Sequence, residues 1–155
     1  MKVQNAMTRR DGGGQALAEI ALALPLLLIT VLGLIEFGRV AYFSIQLQNA
    51  AEAGAQWGAE TSSNTPDFNA IKHAALNDGQ NVPGLSVTAS RACYCISSGA
   101  QASAPNCSAG DCSGGTRLIQ YIQVDTSATV NSLLNYYLFP SSFNLAGHAN
   151  LRVTQ

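Results

Sequence analysis

Residues 16–35 form a run of twenty in which a single residue, Glu19, carries a charge. As a helix rising 1.5 Å per residue this run is about 30 Å long, the thickness of a bilayer's hydrocarbon core. A helix apolar around its whole circumference has to be enclosed by protein or by lipid, and this run reads as a membrane span. An ionised carboxylate at the centre of a span costs about 2.5–3.5 kcal/mol on insertion scales, and less near an end. Glu19 is therefore a functional candidate by its position alone.

Residues 1–14 precede the run as a polar leader. They hold three basic residues, Lys2, Arg9 and Arg10, against one acidic residue, Asp11, a net charge of +2. Basic flanks stay in the cytoplasm, so the chain beyond the apolar run is expected outside. A secretory signal has its small-residue cleavage site after a shorter apolar core. Here Gly12, Gly13 and Gly14 stand before the run. Cleavage after Gly14 would remove the leader and leave the apolar helix on the mature chain. That order resembles the class III signal of type IV pilin-like proteins, cut after glycine by prepilin peptidase, with glutamate as the fifth mature residue. Counting Gln15 as the first, Glu19 is the fifth.

The resemblance extends through Ala18-Glu19-Ile20-Ala21-Leu22-Ala23-Leu24-Pro25-Leu26-Leu27-Leu28 to Gly33-Leu34-Ile35-Glu36-Phe37-Gly38-Arg39. This stretch resembles the opening of the TadE-like family, pilin-like proteins of tight-adherence (Flp-type) pilus systems. Ile20 stands where that pattern usually has phenylalanine. The resemblance implies that Gly14, Gln15 and Glu19 form a processing site. It also implies that Glu19 neutralises the new α-amino group of Gln15, its own or a neighbour's, within the membrane. The competing view makes Glu19 an incidental carboxylate at the helix entrance. Pro25 removes one helical hydrogen bond and is expected to kink the helix near Ala21. Arg39 is expected to mark the outer end of the span, with its head reaching the interface.

Beyond Arg39 the helical pattern continues. Val40, Phe43, Leu47, Ala50, Gly54 and Trp57 follow at 3-4-3-4-3 spacing, one stripe of a helix that lasts until Ser62-Ser63-Asn64. The many Ala and Gly residues between 50 and 59 allow a sheet or another helix to approach closely. Thr65-Pro66-Asp67 signals the start of a short helix bearing Phe68, Ile71 and Ala75 and ending near Asp78-Gly79. From Leu85 the period changes to two, with Leu85, Val87 and Ala89 alternating with Ser86, Thr88 and Ser90. A second strand is expected from Leu118 to about Ala128, with Leu118, Ile122 and Val124 on one face. The third has the cleanest alternation, Phe143, Leu145, Gly147, Ala149, Leu151 and Val153 on one side. The predicted fold is α+β and pilin-like: one long N-terminal helix, membrane-spanning in its first half, on a small antiparallel sheet with one further short helix. The domain reading is a leader over 1–14, a transmembrane helix over 15–38 and an extracytoplasmic domain over 39–155.

Four cysteines, Cys93, Cys95, Cys107 and Cys112, lie close together around a segment rich in Ser, Gly, Ala, Asn and Pro. Such a segment cannot form a core of its own. Outside the cytoplasm the expectation is two disulfides stapling the connection between the first two strands. Three connectivities exist. Cys93 and Cys95 point to one side of a strand, which favours each reaching across to Cys107 or Cys112. The alternative is a four-cysteine zinc site, but C-x-C followed by C-x₄-C is an uncommon ligand spacing.

No constellation of catalytic residues emerges, and neither a cofactor nor enzymatic activity is expected. His73 and His148 read as surface residues, and no phosphate-binding loop is present. Removing the leader leaves five basic residues against eight acidic ones, a net charge of −3 without a basic cluster, so nucleic acid is not an expected partner. The segment from Leu133 to Pro140 is apolar and aromatic, suited either to the core or to the membrane interface, where Tyr is enriched. The function expected is that of a minor pilin or pseudopilin in the cytoplasmic (inner) membrane, N-terminus inside. Its partners would be the lipid bilayer, prepilin peptidase, other pilin-like subunits and tight-adherence secretion components. The alternative is an uncleaved single-pass anchor whose exported domain binds an envelope partner.

Overall fold

The computed structural model describes residues 13–60, 65–97, 100–114, 116–133 and 140–154. The leader up to residue 12, the break at 62–64 and the aromatic stretch 134–139 lie outside the described residues. The chain divides into two units, Met1–Phe37 and Gly38–Gln155.

In the first unit the described chain is the opening of α1 (Gly13–Glu60), which runs without interruption through Pro25. Thr30 donates its hydroxyl to the Leu27 carbonyl at 2.8 Å, so this polar side chain is satisfied within the helix itself.

The second unit is α+β. α1 continues through it and is followed by α2 (Phe68–Asp78), β1 (Ser86–Ser97), β2 (Ala100–Ser103), one 3₁₀ turn (Ala109–Asp111), β3 (Arg117–Asn131) and β4 (Ser142–Arg152). The strands form one antiparallel sheet in the order β2-β1-β3-β4. The alternation read from the sequence sets its two faces. Val87, Ala89, Ile122, Val124 and Ala149 line the side against the helices, while Ser86, Thr88, Asp125 and His148 face solvent. Register pairs Thr88 with Asp125 and Asp125 with His148, a polar row across three strands.

The core joins Ala51 and Ala55 of α1, Ile71 and Ala75 of α2, and Ile122, Val124 and Ala149 of the sheet. A second cluster brings Leu47 to Val82 and Ala128, with Phe43 and Leu145 beside it. Full burial of side chains such as Leu47, Ile71 and Ile122 stabilises by about 1.5–3 kcal/mol each. The small residues of α1 are what let the layers approach. At Gly147 an added Cβ would lie 2.6 Å from the Leu47 carbonyl oxygen and 2.7 Å from Thr126 Oγ1. Thr126 donates its hydroxyl to that same carbonyl at 2.8 Å, closing the contact of helix and sheet.

Three details differ from the sequence reading. The sheet has a fourth strand: Ala100–Ser103 pairs with Tyr94 to Ser97 inside the segment read as a plain loop. The four residues Ala-Gln-Ala-Ser are too short a run to show a period, and they pair next to the two disulfide-bonded cysteines of β1. The second predicted strand extends to Asn131, because Ala128 and Val130 continue its buried side against Leu145 and Phe143 of β4. The cap of α2 is Asp67, whose carboxylate accepts from the Ala70 amide at 3.0 Å. Thr65, in the cap position by sequence, is instead buried and donates to the Gly58 carbonyl at 3.2 Å.

Candidate functional site

The segment that most constrains function is the first half of α1. From 16 to 35 every residue except Gly33 is exposed; Leu17, Leu22 and Leu34 are 70%, 82% and 70% accessible. The helix is apolar on all sides and long enough to cross a bilayer. Exposed apolar surface on this scale marks a lipid or protein contact, and a helix meets the backbone hydrogen-bonding demand of lipid internally.

At its start Gly14, Gln15 and Glu19 are all exposed. Gln15 Nε2 donates to Glu19 Oε1 at 3.2 Å, the i to i+4 spacing of a helix face. An amine created at Gln15 would emerge about one turn, roughly 6 Å along the axis, from that carboxylate. Gly13 and Gly14 occupy the first helical turn, where amides have no intrahelical acceptor and glycine costs about 1 kcal/mol relative to alanine.

At the other end of the run Glu36 is 3% exposed, an unusual environment for a carboxylate. Arg39 makes a long-range contact. Its guanidinium donates to the Asn131 carbonyl at the end of β3 and lies 5.8 Å from the Phe43 ring centroid. Sequence reasoning missed this, because the partner is a backbone carbonyl 92 positions away.

The cysteines pair as Cys93 with Cys107 and Cys95 with Cys112, with Cα separations of 5.2 and 5.4 Å. They pack with Ala104 and Leu118 on the helix-side face of the sheet, forming a small core for the loop. A second device holds the same loop. The Asp111 carboxylate accepts from the Asn106 side-chain amide at 3.1 Å and from the Asn106 and Ser108 backbone amides at 3.0 and 3.3 Å. The Asn106 side-chain bond draws the Asp111 carboxyl below the ordinary aspartate value; desolvation opposes it, and the bonds from Ser108 and the Asn106 backbone add to the lowering.

His73 is exposed on α2. His148 Nδ1 lies 2.6 Å from Asp125 Oδ1, each side chain 57% exposed. Gln48 of α1 holds the same strand through its amide, donating to the His148 carbonyl at 3.0 Å and accepting from its amide at 3.2 Å. The register of β3 and β4 creates the Asp–His pair, and neither residue signals it in sequence. Ser86, Thr88 and Ser127 line the same cleft as the pair, and among the described residues none of their hydroxyls is hydrogen-bonded to His148. Nor do three or more His, Cys, Asp or Glu residues gather there as a metal site.

Residues 14–56 match the family model described as TadE-like protein. Over that segment the resemblance carried by Gly14, Glu19 and the apolar run holds, and the matched part ends within α1. Comparison with curated proteins finds no match. Comparison with solved structures finds none either.

Proposed function

We propose, from this TadE-like segment, that the chain is a minor pilin or pseudopilin-type structural subunit in assembly of a tight-adherence pilus. The observation that carries the reading is an unaccompanied apolar half-helix opening with Gly14, Gln15 and Glu19, inside the stretch matched by the family model. On this reading residues 1–14 stay in the cytoplasm, the first half of α1 spans the inner membrane, and the sheet is outside. Prepilin peptidase removes the leader after Gly14. Mature subunits then associate through their apolar helices, with Glu19 neutralising the α-ammonium of Gln15. The chain performs no catalysis. Its work is to present a disulfide-braced domain from a membrane helix to other subunits and secretion components.

Intact mass of the membrane-extracted protein tests the processing step. The expected mass is that of the chain starting at Gln15, and Gly14→Val is expected to retain the leader, since a branched side chain obstructs a peptidase that reads glycine at the cut. A wild-type protein keeping residues 1–14 would favour the uncleaved anchor instead. A valine variant trimmed to the wild-type mass would show that the cut lies elsewhere.

A further inference from the structure

A strand at the border of an antiparallel sheet turns the amide and carbonyl of every second residue outward, open to any extended chain. The sheet has two borders, β2 with the first half of β1 on one side and β4 on the other. On the β1 side the Ala104 amide donates to the Cys93 carbonyl, so Val87, Ala89 and Arg91, in phase with Cys93, turn their backbones outward. That stretch carries its own deterrent in the charged and exposed Arg91, and β2 is only four residues long. β4 has neither device. It is 11 residues long, and its one residue of fixed charge is Arg152 at its end.

The Val153 amide bonds inward to the Gln120 carbonyl, so the even-numbered residues of β4 are the ones that face outward. At the middle of this border stands Gln48 of α1. Its Nε2 donates to the His148 carbonyl at 3.0 Å and its Oε1 accepts from the His148 amide at 3.2 Å. A side-chain amide offers the donor and acceptor of a peptide group, so the two bonds reproduce those that an added strand would make. The other N–H of Gln48 goes to Glu52 Oε1 at 3.0 Å, one helical turn on, which fixes which way round the amide sits. Farther along, the Thr154 amide donates to the Ala59 carbonyl at 3.0 Å. Gln48 thus divides the open backbone, among the described residues, into two short pieces around Ala146 and Asn150.

We infer that Gln48 guards the β4 border: it occupies the place of a neighbouring strand and keeps β4 from pairing with β4 of a second copy. Two such borders are self-complementary, because in both the even-numbered residues carry the outward groups and an antiparallel pair joins them. The sequence of β4 offers no charge near its middle to discourage that pairing, so the deterrent comes from the helix instead. The guard works within the second unit alone, whether or not residues 16–35 span a membrane.

The test uses the detergent-extracted full chain and two variants that lose the same pair of bonds. Gln48→Ala leaves the border bare, whereas Gln48→Lys leaves a charge over it. Light scattering of the protein–detergent complex is expected to show the alanine variant doubling its protein mass relative to wild type as concentration rises, with the lysine variant unchanged. Residue-resolved amide exchange locates the contact. In wild type Ala146 and Asn150 are expected to exchange freely at every concentration, and in the alanine variant their exchange slows as the dimer forms. Equal behaviour of the two variants would make Gln48 a brace between helix and strand and overturn the inference. Association of the alanine variant without slowed exchange at 146 and 150 would assign it to another surface, with the same consequence. Should alanine unfold the domain, Gln48→Met keeps the length of the side chain without either bond, and the same outcomes decide. Slow exchange of Ala146 and Asn150 in wild type would show a border already covered, and overturns the inference however the variants fold.

Discussion

Gly147→Ala is the most revealing single change to the second unit. Gly147 does not adopt a positive φ, so space rather than backbone conformation demands glycine there. Its ideal Cβ would sit 2.6 Å from the Leu47 oxygen, 0.8 Å short of the 3.4 Å at which ordinary contact begins. Two of the three nearest atoms in the way are the Leu47 backbone oxygen and carbon of α1, which cannot rotate aside; the third is Thr126 Oγ1. Separation of helix and strand by that amount also stretches the 2.8 Å bond from Thr126 to the same carbonyl. Overpacking costs about 1–3 kcal/mol and the hydrogen bond about 0.5–1.5 kcal/mol, so a loss of about 1.5–4.5 kcal/mol is expected. For a domain of this size that lowers Tm by on the order of 10 °C. Gly58→Ala is the control. Its Cβ would meet only side-chain atoms, Ile71 Cδ1 at 2.7 Å, Ile71 Cγ1 at 3.0 Å and Ile122 Cγ2 at 3.2 Å, and alanine regains about 1 kcal/mol of helix propensity against that crowding. Urea unfolding of the detergent-extracted chain, followed by Trp57 emission, compares the two. An unchanged midpoint for Gly147→Ala, or a larger loss for Gly58→Ala, would refute the account of how helix and sheet meet.

Non-reducing mass spectrometry of the membrane-extracted protein is expected to find no free thiol. With separations of 14 and 17 residues each bridge is worth roughly 3 kcal/mol in the chain-entropy model, and reduction should loosen 98–115 before the β3–β4 pair. Four alkylatable thiols, or stoichiometric zinc, would contradict this. Asp111 makes the same loop acid-sensitive. A carboxyl held below its unfolded value contributes stability that is complete above that value, about pH 4, and is lost as pH falls through the lower folded one. The Asn106 and Ser108 amides should therefore begin to exchange faster only below about pH 4, and Asp111→Asn should abolish that step. A transition near neutral pH would exclude Asp111 as its source.

Much of the architecture was legible because binary pattern and period carry it. The stripe from Val40 to Trp57 and the alternation from Phe143 to Val153 each mark the buried side of their element, and Asp78-Gly79 ends α2 as read. Patterns of that kind say which side is buried but not what touches what. Cys93 and Cys95 share a face by alternation, yet choosing among three connectivities needed the path of the intervening loop. β2 left no trace because Ala100–Ser103 is four residues long and has no large apolar side chain to mark a face. Arg39 and Asn131, Gln48 and His148, and Thr126 and Leu47 are side-chain to backbone contacts across 79 to 100 positions. A backbone carbonyl has no residue type to announce it, so such contacts are invisible until the register is known. At the candidate site the balance is reversed. Gly14, Gln15 and Glu19 are one turn or so apart on one helix, and sequence spacing alone brings them together.

The central claim is that Glu19 serves assembly, and one variant isolates it. Glu19→Ala makes the segment more apolar, so leader removal and membrane insertion should match wild type. Association should fail, because a buried α-ammonium at Gln15 that loses its partner costs on the order of 3–5 kcal/mol, more than a hundredfold in an assembly equilibrium. The measurement is co-purification of the mature variant with the other tight-adherence components, scored beside its intact mass. A processed, inserted and unassembled protein, partly rescued by Glu19→Asp, is the result the account predicts. An alanine variant that co-purifies like wild type would reduce Glu19 to an incidental carboxylate and contradict it.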